Sequence, residues 1–323
     1  MQGVFFQNKE KKIIDSIMRS VYFNNQPPVL IDIGASGGIH SKWKYIAKYA
    51  YCVAFDADDR EFQINEQINK DYKKLIHINR IVTALPSGNA PFYLTQSPFC
   101  SSLLEPDEEK LRPWLFRPLF AVTNMTSLPT VTLAESLQSA NISYIDWFKV
   151  DTQGTDLRLY QSLPDEIKET ILFAEFEPGI LDAYKGEDKL YAVMQEMQTR
   201  GFWLSSMNVK GTQRLQNNYS SQIGQFFSER IIKTSPGWAE LAYFRNPEDL
   251  SCRSLLLMYV FALLERQYGF ALELADKGIQ QFQEPLLNEC RQVVLNKIQK
   301  EKKKIPLILL KRKINKLFDR IHA

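Results

Sequence analysis

The sequence is poor in cysteine and histidine, with four and three residues respectively among 323. The cysteines, Cys52, Cys100, Cys252 and Cys290, are scattered and form no Cys-x-x-Cys pair or zinc-like spacing. This scarcity argues against a disulfide framework or a structural metal and predicts a reducing compartment. No apolar run leads to a cleavage site near the N-terminus, and none approaches the ~18 residues of a membrane span. We therefore expect a cytoplasmic protein that holds no metal.

A strong positive charge is absent from most of the chain. The net charge of +3 is unevenly distributed, with the basic excess confined to the C-terminal residues. Residues 297–323 carry ten Lys and Arg against two acidic residues, which leaves −5 on residues 1–296. An acidic body argues against a nucleic-acid partner, since enzymes that act on nucleic acids line the catalytic domain with basic residues. The basic tail predicts an amphipathic helix with its apolar stripe at Leu307, Leu310, Ile314, Leu317 and Ile321. Such a helix can lie on the inner membrane surface, bind a partner protein, or pack on its own domain, and the sequence leaves all three alternatives open.

Apolar runs bounded by glycine, proline or acidic residues alternate with helical patterns along the first 250 residues. Predicted strands are 29–34, 51–59, 75–85, 90–95, 128–133, 146–151, 171–177, 201–207 and 238–246; predicted helices are 13–23, 154–162 and 187–200. This alternation predicts an α/β fold with a mostly parallel, Rossmann-like sheet and an antiparallel last strand. We predict three regions: an α/β domain at 1–250, a hairpin of two amphipathic helices at 251–296, and the tail at 297–323.

A glycine-rich turn follows the first predicted strand, in the sequence Asp32-Ile33-Gly34-Ala35-Ser36-Gly37-Gly38. Glycines at a strand-to-helix turn let the backbone approach a ligand closely. The Gly-x-Gly pair of dinucleotide sites is missing. Asp32 beside the turn suits a ligand with a cationic end better than a pyrophosphate. We predict that Asp32, Gly34, Ala35, Ser36 and Gly38 bind a nucleoside cofactor.

The next strand tips extend this predicted nucleoside site. Asp56, with Ala57 beside it, ends the second predicted strand, where a carboxylate can accept hydrogen bonds from both ribose hydroxyls. Thr83 and Ala84 end the third predicted strand and are candidates to border the base. The alternative interpretation is that Asp32 and Asp56 only cap helices or shape turns.

A second motif, Phe148-Lys149-Val150-Asp151-Thr152-Gln153-Gly154-Thr155-Asp156, spans a strand end and the start of a helix. Asp151 is expected at the carboxyl end of a central strand, where open α/β sheets bind ligands. A functional and a structural role for it are equally compatible with the pattern. For Asp156 we favour simple stabilisation by the helix dipole.

Together the segments VLIDIGASGG, VAFDADD, TVTLAESL, DWFKVDTQGTDLRLYQSL and ILFAEFE resemble the FkbM-type methyltransferases over residues 28–246. The resemblance implies S-adenosyl-L-methionine as cofactor and methyl transfer mainly to hydroxyl oxygens, often of sugars. The chain departs from the family at Ser36, Asp56-Ala57, Gln153 and Asp156, where Asn, Glu-Pro, Glu and Glu are usual. These differences weaken inferences about the acceptor more than about the cofactor.

Transfer to a hydroxyl requires a base for the acceptor's proton. Asp151 is the first candidate and His40, just beyond the glycine turn, the second. Glu175 and Glu177 lie on one face of their strand, so either could join Asp151, even around a divalent cation; salt bridging or capping is the favoured alternative. The long segment 97–125 interleaves aromatic residues with arginines. Its Arg112, Trp114 and Arg117 are predicted to contact the substrate, although packing onto the sheet explains the aromatics equally well.

The leading hypothesis is a methyltransferase that modifies a hydroxyl of a carbohydrate or small molecule during glycan assembly. A second is N- or O-methylation of a non-sugar metabolite, which needs a different acceptor pocket. A third is a non-catalytic scaffold that uses the cofactor fold to bind partners.

Overall fold

The computed structural model describes residues 8–35, 39–55 and 71–321. The strands are β1 Val29–Ile33, β2 Tyr51–Phe55, β3 Lys74–Ile78, β4 Ile81–Val82, β5 Asn89–Thr95, β6 Val122–Val131, β7 Trp147–Val150, β8 Phe173–Phe176, β9 Phe202–Gln213 and β10 Thr234–Arg245. The α-helices are α1 Asn8–Met18, α2 Glu108–Leu111, α3 Leu133–Ser139, α4 Asp156–Gln161, α5 Asp165–Lys168, α6 Leu190–Thr199, α7 Asn217–Ile223, α8 Gln225–Ile231, α9 Cys252–Leu264, α10 Tyr268–Phe282 and α11 Pro285–Ile321. Short 3-10 helices occupy Val21–Phe23, Ser41–Tyr45, Ala47–Tyr49, Pro98–Cys100 and Arg117–Phe120.

The main sheet has seven strands in the order β3-β2-β1-β7-β8-β10-β9. The first five strands in this order are mutually parallel, while β10 runs antiparallel to both of its neighbours. The predicted α/β class, with a mostly parallel sheet and an antiparallel last strand, is therefore confirmed, and the strand arrangement is compatible with a Rossmann-like fold. All five residues of β1 are buried, as expected for a central strand covered on both faces.

The third predicted strand, 75–85, is wrong as a single element. The chain turns at Asn79 and Arg80, so that β3 ends in the main sheet and β4 pairs with β6 in a separate sheet ordered β4-β6-β5. The predicted strand at 128–133 also ends early. Thr132 caps α3 by accepting a hydrogen bond from the amide of Glu135, whose carboxylate bonds back to the Thr132 amide, and this pair starts a helix.

The chain forms two compact units, Pro27–Asn246 and Met1–Gln26 together with Pro247–Ala323. The first 26 residues, which we assigned to the sheet domain from sequence, thus group with the C-terminal helices. Within that unit Tyr22 donates to Glu284 over 2.7 Å, and the Arg253 guanidinium donates to the Gln26 carbonyl over 3.0 Å.

Two features of the C-terminal helices differ from expectation. Helix α9 is buried on every side from Leu255 to Leu264, so its description as amphipathic is wrong. Helix α11 runs without a break through the predicted boundary at 297, where Lys297 forms a buried ion pair with Glu10 at 2.8 Å. The side chains of the predicted apolar stripe, from Leu307 onward, lie outside those described. None of the described helices is long and apolar enough to cross a bilayer.

Candidate functional site

The switch point of the main sheet lies between β1 and β7. From β1 the chain order runs outward through β2 and β3 on one side, whereas β7 and β8 continue on the other. Open α/β sheets bind ligands in the crevice outside the carboxyl ends of their strands at such a point. Gly34 and Asp151 follow β1 and β7 directly, so they flank this crevice.

Gly34 is required by the close approach of these two strand ends. Its φ is +81°, and a Cβ at this position would lie 2.0 Å from the carbonyl oxygen of Asp151. The amides of Gly34 and Ala35 both donate to the carbonyl of Phe55, at 3.0 and 3.2 Å. Those two amides are therefore occupied by β2, and the turn shapes the crevice by bringing the β1 and β7 ends together.

A row of alternating charge crosses the sheet below the crevice. Asp32, Lys149 and Glu175 are cross-strand neighbours on β1, β7 and β8. Lys149 Nζ lies 2.6 Å from Asp32 Oδ1, and the amide of His40 donates to Asp32 Oδ2 over 2.9 Å. The Asp32 carboxylate, which we predicted would face a cationic ligand, is thus neutralised within the protein.

Glu175 is bound from the other side of the row. Its carboxylate accepts from Lys42 Nζ at 2.7 Å and from the Trp147 indole at 2.9 Å. Burial alone would raise the pKa of Glu175, but the charge of Lys42 and the hydrogen bonds from Lys42 and Trp147 hold it below its ordinary value. This is the salt-bridging role that we weighed against catalysis.

Lys149 remains charged for a similar reason. Burial acts to lower the pKa of Lys149, but the carboxylates of Asp32, Asp151 and Glu175 outweigh it and raise that pKa. A charged lysine in this position provides the positive partner of the buried Asp32 carboxylate.

His40 lies with Glu175 in an aromatic pocket. Its Nε2 is 3.4 Å from Glu175 Oε2, and its ring meets Trp43 and Trp147 edge-on at 5.9 and 6.4 Å. Burial lowers the pKa of His40 despite the adjacent carboxylate, so the imidazole is predominantly neutral at pH 7. Two predicted catalytic residues, His40 and Glu175, are therefore brought together.

Asp151 is paired with a second carboxyl group, that of Glu177. The side-chain amide of Gln153 donates from Nε2 to Asp151 Oδ1 over 2.7 Å. The backbone of Gln153 has a φ of +56°. Burial first, and then the charge and hydrogen bond of Asp151, raise the pKa of Glu177 to about 9. Glu177 is therefore protonated at neutral pH, and its carboxyl group is a hydrogen-bond partner of Asp151.

Asp156 connects the two halves of this pair. Its carboxylate accepts from the amide and hydroxyl of Thr152, at 2.9 and 2.7 Å, and from the amide of Glu177 at 2.9 Å. Burial raises the pKa of Asp156 to about 6. Asp156 thus does more than stabilise the helix through its dipole, because its hydrogen bonds join the loop after β7 to the end of β8.

The segment 97–125 lines the Asp151 loop with residues other than those we predicted. Ser102 Oγ donates to the carbonyl of Gln153 at 2.8 Å, and Tyr184 donates to the carbonyl of Cys100 at 2.8 Å. Burial raises the pKa of Cys100 to about 11, so it is a thiol at neutral pH. This segment therefore forms one wall beside Asp151.

The three predicted substrate residues of this segment lie elsewhere on it. Trp114 is buried beneath the Arg214 guanidinium at 5.3 Å, Arg117 pairs with Glu108 at 2.9 Å, and Arg112 is exposed. For Trp114 the packing interpretation fits the structure.

Several predicted cofactor residues lie outside the described residues, namely Ser36, Gly38, Asp56 and Ala57. Thr83 and Ala84 follow β4 and not the third strand of the main sheet; the Thr83 hydroxyl accepts from the Leu85 amide at 3.1 Å, and Ala84 is exposed. In the described part of the chain, no group of three or more His, Cys, Asp or Glu residues is arranged to hold a metal ion.

Sequence reasoning assigned no role to Lys42, Lys149 or Gln153, although all three contact predicted site residues. Lys149 carries a usable signal, because it precedes Asp151 by two residues and so faces the same side of its strand. Lys42 lies in a five-residue 3-10 helix and Gln153 in a loop, and both segments are too short for a periodic pattern to fix the direction of a side chain.

Comparison with known proteins assigns neither a family nor a function to the chain. No protein-family model matches the chain, and no curated protein matches it at a significant level. Functional inference therefore rests on the residues described above.

Proposed function

We propose that the protein is an S-adenosyl-L-methionine-dependent O-methyltransferase whose acceptor is a hydroxyl group of a sugar. The observation that carries this proposal is the Asp151–Glu177 carboxyl pair at the switch point, beside the Gly34 turn. A carboxylate held at this position is suited to receive a proton from a neutral acceptor.

The charge of the crevice fits this cofactor. Lys42 and Lys149 are each paired with a carboxylate of the charged row, whereas Asp151, Asp156 and Glu177 add further carboxyl groups at the carboxyl edge. A negative crevice suits a sulfonium or ammonium group and repels a pyrophosphate. The turn at Gly34 and the predicted ribose ligand Asp56 would hold the nucleoside end.

When bound, the cofactor would supply a methyl group on a cationic sulfonium. Asp151 would accept the proton of the acceptor hydroxyl while Gln153 keeps its carboxylate oriented through the 2.7 Å hydrogen bond. Protonated Glu177 would donate to Asp151 and hold it close to the acceptor. The wall formed by Ser102 and Tyr184 would exclude water and position the acceptor.

A labelled-methyl assay with a panel of glycans tests the proposal. Asp151→Asn should reduce transfer by about two to four orders of magnitude, the usual contribution of a general base. Asp165→Asn, at an exposed position paired with Arg200, should leave the rate unchanged.

Calorimetry distinguishes failure of chemistry from failure of binding. Asp151→Asn should still bind the demethylated nucleoside product, because that product lacks the sulfonium charge that the Asp151 carboxylate would meet. Transfer to amine acceptors alone would favour the N-methylation alternative. Absence of binding and of transfer in the unaltered protein would favour the scaffold and overturn the proposal.

A further inference from the structure

The connection between β9 and β10 presents an unusual surface, which we term the hairpin tip, residues 214–233. It contains α7 and α8. Five large apolar side chains within 13 residues are between 41 and 74% exposed, namely Tyr219, Ile223, Phe226, Phe227 and Ile231. Isolated apolar residues are normal on a protein surface, but such a concentration marks an interaction site.

The hairpin tip projects from the edge of the sheet that carries the candidate site. Because β10 is antiparallel to β8, with Leu241 opposite Phe176, its residues from 240 back to 234 extend beyond the carboxyl end of β8. Strand β9 extends with it, since Gln213 pairs with Thr234. At roughly 3.3 Å per residue, the tip begins about 20 Å beyond the end of β8.

The charge of the hairpin tip is basic. Residues 214–233 include Arg214, Arg230 and Lys233 against a single acidic residue, Glu229, although the rest of the body is acidic. The Arg230 guanidinium stacks on the Phe226 ring at 3.7 Å, which places a cation directly beside an apolar group. Aromatic rings flanked by basic residues are typical of segments that lie in the interface of an anionic bilayer.

We propose that the hairpin tip docks on an anionic membrane surface, with its aromatic rings in the headgroup region and its basic residues against the lipid phosphates. Burial of the rings and attraction of the basic residues to lipid phosphates then act together. An apolar protein surface would bind the rings but would leave the basic residues of the tip without a role. This orientation turns the carboxyl edge of the sheet, and therefore Asp151, toward the bilayer. The proposal does not depend on methyl transfer.

Vesicle flotation of the full chain tests the proposal. We expect binding to vesicles of phosphatidylcholine mixed with phosphatidylglycerol that weakens as salt rises. The variant Phe226→Ser/Phe227→Ser should bind at least about tenfold more weakly, because two rings no longer enter the interface. Tyr191→Ser, which removes an even more exposed aromatic residue on α6, should bind like the unaltered protein.

A local probe separates this surface from the basic C-terminal tail. In the variant Phe226→Trp, the introduced indole should be quenched by nitroxide-labelled lipids in the vesicles. Retained flotation of the double serine variant, together with no quenching of that indole, would assign binding to the tail and overturn the proposal. So would a concentration-dependent dimer that the same serine variant abolishes, since the tip would then bind a second copy.

Discussion

Replacement of Lys149 by methionine tests the charged row most directly. The change removes the positive partner of Asp32, whose side chain is only 1% exposed, and leaves the carboxylate with the His40 amide as its hydrogen-bond donor among the described residues. At 2.6 Å and an effective dielectric constant of 20, the lost Coulomb attraction is about 6 kcal/mol before desolvation is counted. Breaking such pairs typically costs about 3–5 kcal/mol; since Lys149 is itself 18% exposed, we expect about 3 kcal/mol.

Urea unfolding followed by tryptophan fluorescence measures this loss. All five tryptophans lie within residues 27–246, so the signal reports on the unit that contains the row. With a urea dependence of about 2–3 kcal/mol per molar, the midpoint should fall by about 1 M. Lys185→Met removes an exposed partner of Glu105 and should cost no more than about 1 kcal/mol.

A double variant examines the coupling between the two charges. Asp32→Asn with Lys149→Met should be less destabilised than the sum of the single changes, by about 2 kcal/mol, because no unpaired charge stays buried. If Lys149→Met proves no more costly than Lys185→Met, or if the two changes are additive, the row does not stabilise the sheet as we argue.

Two further predictions concern the crevice. Gly34→Ala should cost more than about 2 kcal/mol in the same assay, because the new Cβ would meet the Asp151 carbonyl at a positive φ, whereas Gly88→Ala meets nothing within 4 Å; equal costs would contradict this. Folding raises the pKa of Glu177 from 4.5 to about 9, so its contribution to stability is greatest below pH 4.5 and is lost as pH rises through 9. Glu177→Gln should therefore lessen the decline in melting temperature between pH 5 and pH 9, and an unchanged decline would refute the assigned pKa.

Much of the sheet could be predicted because its strands are short apolar runs with abrupt polar ends. The parallel core of β1, β2, β3, β7 and β8 follows from that pattern and from the intervening helices. The split of the third strand could not be predicted, because Ile81 and Val82 continue the apolar run of β3 and only the turn at Arg80 sends them to another sheet. The grouping of residues 1–26 with the C-terminal helices depends on contacts across more than 200 positions, such as Tyr22 with Glu284.

The candidate site was predictable in its location but not in its internal pairing. Strand order brings Asp32 and Lys149 into register although 117 residues separate them. No local pattern encodes that register, so the sequence left Asp32 with two possible uses, as a ligand for a cation or as a structural anion.

The pairing of Asp32 with Lys149 changes which group can recognise a cationic ligand. A carboxylate that is already neutralised by a lysine at 2.6 Å offers little further attraction, and displacing that lysine would leave a charge buried. Asp151, by contrast, lies at the carboxyl edge, where its hydrogen-bond partners among the described residues are Gln153 and Glu177. The charged row therefore supports the crevice from beneath, and the carboxyl pair is the part of it that a cationic ligand would meet. Under the proposed function, loss of Lys149 should therefore lower the stability of the sheet more than it weakens cofactor binding. Loss of the Asp151 charge should instead weaken binding of a sulfonium nucleoside more than it lowers stability.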